Sequence, residues 1–138
     1  MNIHIVYFTK RKENKMNHTF AILTKLPDLN SYIEAERSSR YKAAEMKKSA
    51  TATCQWSCNQ LRGKVDQCKR YHVSFEWHLP NRKLDNDNVC AFARKVILDG
   101  LVKAGVLKND GANNIGNFKD EFIYDGKTFT VVTLIEEV

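Results

Sequence analysis

Two aspartates that lie two residues apart, Asp85 and Asp87, directly precede a segment with helical periodicity. Asp99 lies inside that segment, Asp110 lies just beyond its end, and Lys95 lies between the two groups of acids. Carboxylates held close together repel one another, and burying them without a partner is costly. Such a group therefore implies a divalent cation, a neighbouring lysine or arginine, or solvent around each carboxylate.

The Asp85-x-Asp87 spacing is suited to a hard cation. On an extended segment both side chains would project to the same side and could bind one ion. A calcium-binding EF-hand loop would require glycine at Cys90 and glutamate at Val96, so that class of site is excluded. Mg²⁺ fits better, because it takes few carboxylates, retains waters and shares phosphate oxygens with a substrate. Such a site can activate water for attack on a phosphodiester.

The same residues also have a purely structural explanation. Asp87 or Asn88 could cap the helix that follows, and Asp110 could initiate a turn. Asp99 could simply pair with Lys95, one helical turn away. The spacing alone leaves both explanations open.

Charge is unevenly distributed along the 138 residues, which carry a formal net charge of +6. Residues 1–84 contain 16 Lys and Arg against 7 Asp and Glu, whereas residues 85–138 contain 6 against 9. A basic part beside an acidic part suits a protein that binds a polyanion and also holds a cation. Basic surfaces that bind nothing are also common, so charge alone leaves nucleic-acid binding open.

The cysteines and the hydropathy indicate the compartment. Cys54, Cys58, Cys68 and Cys90 form no Cys-x-x-Cys pair, and no histidine stands at zinc-finger spacing from them. We therefore expect free thiols in a reducing compartment. No stretch approaches the roughly 20 apolar residues of a membrane span, and residues 1–7 are too short and polar for a signal peptide. We expect a cytoplasmic protein without a membrane partner.

Periodicity predicts an α/β (α+β) fold, in which a small mixed sheet packs with two main helices in the order β-α-β-α-β-β. The helices are expected at residues 31–61, with a break near 49–51, and from 87 or 88 to 104; the strands are expected at 18–26, 69–79, 117–124 and 127–135. Asp125-Gly126, between the last two strands, is a strong hairpin signal. We expect one domain over 1–138, to which residues 1–17 could add an N-terminal extension with a short strand at 3–8 and a charged loop at 10–15.

Two of these segments have distinctive faces. In the first helix, apolar residues recur near helical spacing, and the outer face between them is basic. The apolar residues are Tyr32, Ala35, Ala43, Met46, Ala50 and Trp56. In the strand at 69–79, the alternation of apolar and polar residues is the clearest period of two in the chain. His72 and His78 on its other side would stand roughly 20 Å apart, too far to share a metal.

Four short motifs follow one another in the acidic part of the chain: Asp85-x-Asp87-Asn88, Lys95-x-x-x-Asp99-x-Leu101, Ala104-Gly105 and Asn109-Asp110. In combination they resemble the RusA-like Holliday junction resolvases of bacteria and their phages. The segment from Leu26 to Tyr32, the basic helix and the strand that ends in Leu79-Pro80-Asn81-Arg82 fit the same family. The similarity covers roughly residues 18–137.

The resemblance implies a small α/β homodimer that resolves four-way DNA junctions by paired symmetric nicks, in recombination and repair. It implies that Asp85, Asp87 and Asp110 are catalytic carboxylates that bind Mg²⁺, with Mn²⁺ as a substitute, and that Lys95 is the essential catalytic lysine. Asn88 and Asp99 are implied as supporting residues.

Basic residues are expected to bind the arms of the junction, and the first candidates are Lys47, Lys48, Arg82 and Lys83. Two other classes of function stay open at this point. The chain could be a junction-binding protein of the same fold without catalysis. It could also be a helix-rich interaction protein whose acidic loop is only a helix cap.

Overall fold

A computed structural model of the chain contains one five-stranded mixed β-sheet and three α-helices, which confirms the α+β class. The structure describes residues 7–12 and 15–137. The elements are β1 (Tyr7–Lys12), β2 (Lys15–Ile22), α1 (Leu29–Ser38), α2 (Arg40–Cys58), a 3₁₀ turn (Asn59–Leu61), β3 (Tyr71–Leu79), α3 (Asn86–Lys103), β4 (Ile115–Tyr124) and β5 (Phe129–Glu136). Among the described residues, no helix is both long and apolar enough to cross a membrane.

The strand order differs from the expected hairpin topology. The order across the sheet is β1-β2-β5-β3-β4, in which β3 and β4 are parallel and the other neighbours are antiparallel. Because β3 lies between β4 and β5, the predicted β4–β5 hairpin is wrong. The turn itself exists, since Gly126 has a φ of 78°. A turn residue reverses the chain but does not specify which strand becomes the hydrogen-bonded neighbour.

β3 is the central strand, and its period of two is confirmed. Tyr71, Val73, Phe75 and Trp77 are buried, while the residues between them are partly exposed. The buried side faces the helices, where Phe92, Val96 and Leu101 of α3 join the same core. This packing fixes α3 against the sheet, and with it the residues at both ends of the helix.

The N-terminal strands extend further than expected. Residues 10–12, predicted as part of a charged loop, belong to β1, which pairs with β2 and forms one edge of the sheet. Charged residues are common on edge strands, because they oppose pairing with another chain. β2 begins at Lys15 rather than at His18, and the first part of the strand predicted at 3–8 lies outside the described residues.

The first predicted helix is broken at Ser39, not near residues 49–51. Ser39 has extended backbone angles, with φ −167° and ψ 128°, and its hydroxyl accepts a hydrogen bond from the Lys42 N–H at 3.4 Å. It therefore ends α1 and caps α2. Of the apolar residues near helical spacing, Ala43 and Ala50 are buried, whereas Trp56 is exposed.

A close contact joins α2 and α3. A Cβ atom added to Gly100 would lie 2.6 Å from Cys54 Cβ and 2.8 Å from the Gln55 backbone nitrogen. Cys54 and Cys58 lie at this contact, and burial raises the pKa of both thiols to about 12. All four cysteines are free, as expected.

We predict that Gly100→Ala lowers the free energy of unfolding by about 1–3 kcal/mol, because the methyl group forces α2 and α3 apart. Urea unfolding followed by circular dichroism measures the change. Gly111→Ala is the matched control, since a Cβ there would approach only a side-chain oxygen of Asn109, at 3.4 Å. Equal stabilities of the two variants would contradict the proposed contact.

We also predict that a thiol reagent modifies one cysteine rapidly at pH 8. Cys68 is exposed, whereas Cys54, Cys58 and Cys90 are buried and burial raises the pKa of each. Timed reaction with Ellman's reagent, followed by peptide mass analysis, identifies the fast thiol. All four should react in denaturant, and rapid modification of Cys54 in the native protein would refute the prediction.

Candidate functional site

Most of the charged residues identified in the sequence line two hollows at opposite ends of α3, whereas Lys83 and Lys95 line neither. The N-terminal hollow is lined by residues that include Asn30, Arg82, Asp85, Asp87, Asn88 and Tyr124. The C-terminal hollow lies between α2 and the end of α3 and is lined by residues that include Lys47, Lys48, Thr51, Asp99, Lys103 and Asp110. The predicted site residues are therefore divided into two sets.

The length of α3 keeps these sets apart. The helix has 18 residues, which at 1.5 Å per residue corresponds to about 27 Å. Asp85 and Asp87 lie at its start, and Asp110 follows its end beside Asp99. One chain therefore does not bring Asp110 to Asp85 and Asp87. Within residues 7–12 and 15–137, no group of three or more His, Cys, Asp or Glu is placed to hold a metal ion.

Asp85 and Asp87 are exposed at the N-terminus of α3. Asp85 occupies the N-cap position but its side chain makes no capping hydrogen bond, and Asp87 lies in the first turn. The cap expected from Asp87 or Asn88 is thus wrong, because the helix begins earlier, at Asn86. None of the ion pairs found in the described part of the chain includes either carboxylate. Both carboxylates are available to a cation.

Asn88 joins the beginnings of two helices. Its side chain is buried, and its Oδ1 accepts a hydrogen bond from the backbone N–H of Asn30, in the first turn of α1, at 2.8 Å. The Asp28 carboxylate caps α1 by accepting from the Ser31 N–H at 2.7 Å. The N-termini of α1 and α3, which carry partial positive charge, therefore meet at the N-terminal hollow.

Arg82 brings a positive charge to the same hollow. Its guanidinium lies 4.9 Å from the centre of the Tyr124 ring, and the Tyr124 hydroxyl donates to Asn86 Oδ1 at 3.1 Å. Among the described residues Arg82 has no ion-pair partner, so its guanidinium can bind an oxyanion. Lys83 is exposed next to it, in a turn where its N–H donates to Asn81 Oδ1 at 2.9 Å.

Lys95 lies apart from both sets. It is exposed on α3, eight residues after Asp87, which is about 12 Å along the helix axis. The lining of neither hollow includes it. The structural role considered for it, an ion pair with Asp99, is not formed among the described residues.

The C-terminal hollow combines three lysines with two aspartates. Lys47 and Lys48 come from α2, and Lys103 and Asp99 come from the last turns of α3. In the described part of the chain, none of these groups forms an ion pair within 4.0 Å. The lysines can therefore contact phosphates, as expected of Lys47 and Lys48 from the sequence.

The pair Asp85 and Asp87 fits Mg²⁺, which commonly binds through one or two carboxylates together with substrate phosphates and waters. The expected set of three carboxylates does not fit within one chain, because Asp110 lies in the other hollow.

Sequence reasoning missed Tyr124 and Asn30 as residues of this hollow. Tyr124 reaches it because β4 pairs in parallel with β3, with Tyr124 opposite Leu79. Asn30 reaches it through its hydrogen bond to Asn88. Both placements depend on strand and helix packing; Asn30 lies in the Leu26–Tyr32 segment that fits the family, whereas Tyr124 belongs to none of the motifs.

No model of a known protein family matches the chain, and no curated protein matches it either.

We predict that Asn88→Ala lowers the free energy of unfolding by about 1–3 kcal/mol, because it removes the acceptor for the Asn30 N–H and leaves a gap between α1 and α3. Urea denaturation provides the measurement. Asn86→Ala is the control, since Asn86 is exposed and, among the described residues, its side chain bonds only the Tyr124 hydroxyl, and it should cost less than about 0.5 kcal/mol. A neutral Asn88→Ala would show that this hydrogen bond does not stabilise the junction of the helices.

Proposed function

We propose that this protein is a Mg²⁺-dependent endonuclease that resolves four-way DNA junctions by paired nicks, in recombination and repair. The observation that carries the proposal is the N-terminal hollow, where two exposed carboxylates share a lining with Arg82 and none of the three charges has an ion-pair partner among the described residues. Carboxylates for a hard cation and an arginine for a phosphate are what metal-assisted phosphodiester hydrolysis requires. The motif resemblance to RusA-like resolvases supports the same reaction.

Each residue of the hollow has a role in this reaction. Asp85 and Asp87 would hold the Mg²⁺ ion, which when bound supplies an activated water and offsets charge on the phosphate. Arg82 binds a phosphate oxygen, and the Tyr124 ring keeps its guanidinium in place. Asn88 is a positioning residue, because it fixes the start of α3 against α1.

Asp110 can join this site only from a second copy of the chain. A homodimer, which the motif resemblance implies, presents two N-terminal and two C-terminal hollows related by a twofold axis. If each C-terminal hollow faces the other copy's N-terminal hollow, Asp110 of one chain completes the acidic group of the other. We therefore propose that each active site is shared between two chains.

A junction-binding protein without catalysis is the second candidate. The C-terminal hollow favours it, because Lys47, Lys48 and Lys103 form a basic surface that needs no assembly of carboxylates. This candidate predicts salt-sensitive junction binding and no cleavage with any divalent metal.

We predict that Asp87→Asn reduces Mg²⁺-dependent cleavage of a labelled four-way junction to below detection, because one of the two metal-binding carboxylates is lost. Junction affinity in EDTA should be unchanged in a gel-shift assay. Glu121→Gln on the edge strand β4 is the control and should cleave normally. If Asp87→Asn loses binding together with cleavage, Asp87 is structural. If the unaltered protein binds the junction in a salt-sensitive way but does not cleave it, the second candidate holds.

Mixing two inactive variants tests the shared site. Asp87→Asn and Asp110→Asn are unfolded together, refolded and assayed on the junction. In random mixed dimers one of the two sites keeps every carboxylate, so about a quarter of all sites are whole. We expect partial cleavage, largely as single nicks. If both variants are inactive alone and their mixture is also inactive, sharing of the site between chains is refuted.

A further inference from the structure

We propose that the outward side of α2 carries a nucleobase-stacking site centred on Trp56, which takes an unpaired base of single-stranded or branched DNA. The inference rests on the proposed function, because DNA is the ligand in both. It concerns a different surface, which contains none of the carboxylates that line the two hollows.

The first observation is the exposure of two aromatic side chains. Trp56 is 77% exposed and Tyr41 is 78% exposed. Tryptophan is usually well buried in proteins. The contrast within this chain is large, since Trp77 is 2% exposed and its indole N–H donates to Asp120 at 2.9 Å. An exposed tryptophan on a regular helix presents a flat apolar surface to a partner.

The second observation is the arrangement of these side chains along α2. Tyr41, Lys48, Ala52 and Trp56 are separated by seven, four and four residues, a spacing that places them on one side of a helix. The small Ala52 leaves the indole accessible. The buried side of the helix is instead occupied by Cys54 and Cys58, which face α3.

The third observation is charge, which selects the occupant. α2 contains Arg40, Lys42, Lys47 and Lys48 but a single acid, Glu45. A second copy of α2 on this surface would bring like charges together, which opposes self-association. A polyanion is attracted instead, and the combination of basic and aromatic residues is typical of sites for single-stranded nucleic acid.

Lysine and indole are close enough to act on one strand. Lys48 precedes Trp56 by eight residues, about 12 Å along the helix, and Lys48 shares the C-terminal hollow with Lys47 and Lys103. A strand whose phosphates follow these lysines passes the indole, which can stack on any base. Bases in an intact duplex are already stacked on one another, so the site selects unpaired nucleotides.

Tryptophan fluorescence tests the proposal, because one of the two tryptophans is exposed and the other is buried. Oligo-dT, a blunt duplex of equal length and a four-way junction with unpaired thymines at its crossover are titrated into the full chain in EDTA, which prevents cleavage. We expect oligo-dT and the junction to quench the emission and to protect it from acrylamide, and the duplex to do neither. Trp56→Phe should abolish the response, and Trp77→Phe should keep it.

Affinity provides the second readout. Trp56→Ala should weaken oligo-dT binding about tenfold and leave duplex binding unchanged, with the fold checked by circular dichroism. Equal quenching by duplex, or an unchanged affinity of Trp56→Ala for oligo-dT, would overturn the inference while leaving the nuclease proposal intact. A change of oligomeric state in Trp56→Ala without a change in DNA affinity would assign the surface to contacts between copies. Failure of the unaltered protein to bind any of the three DNAs would overturn both proposals.

Discussion

The rigid length of α3 governs the chemistry open to this chain. The helix is fixed near its C-terminal end, where Gly100 lets α2 approach within contact distance, and at its start, where Asn88 bonds to α1. Its ends therefore hold two groups of charged side chains at a constant separation. Acids that form one motif in the sequence act in two places, one beside Arg82 and one beside Lys47 and Lys48.

Long regular patterns in the sequence predicted the fold well. The alternation in β3 and the apolar stripe of α3 gave both elements, because burial against one core imposes a period over many residues. The break at Ser39 and the position of β4 were not predicted. A single capping serine resembles many serines within helices, and the Asp125-Gly126 turn carries no information about β3 lying between the strands that it connects.

The site was predicted in part. Asp85, Asp87 and Arg82 share a hollow as their closeness in sequence suggests. Their separation from Asp110 was not predicted. The seven residues after Lys103 can extend about 25 Å, which is enough to retrace the roughly 24 Å from Lys103 to Asp87, so the packing at the end of α3 decides where Asp110 lies. The places of Tyr124 and Asn30 in this hollow follow from packing: Tyr124 from the pairing of β4 with β3, and Asn30 from its hydrogen bond to Asn88.

The position of β5 has a consequence for how the chain is made. β5 follows the other strands in sequence, yet it lies between β2 and β3 in the sheet. Asn17 of β2 pairs with Ile135 of β5. The pairing of β3 with β4 lies within residues 71–124 and needs no residue of β5. β2 has no neighbour on that side until β5 has left the ribosome. Until then, the facing edges of β2 and β3 are open to strands of other nascent chains, and aggregation competes with completion of the sheet.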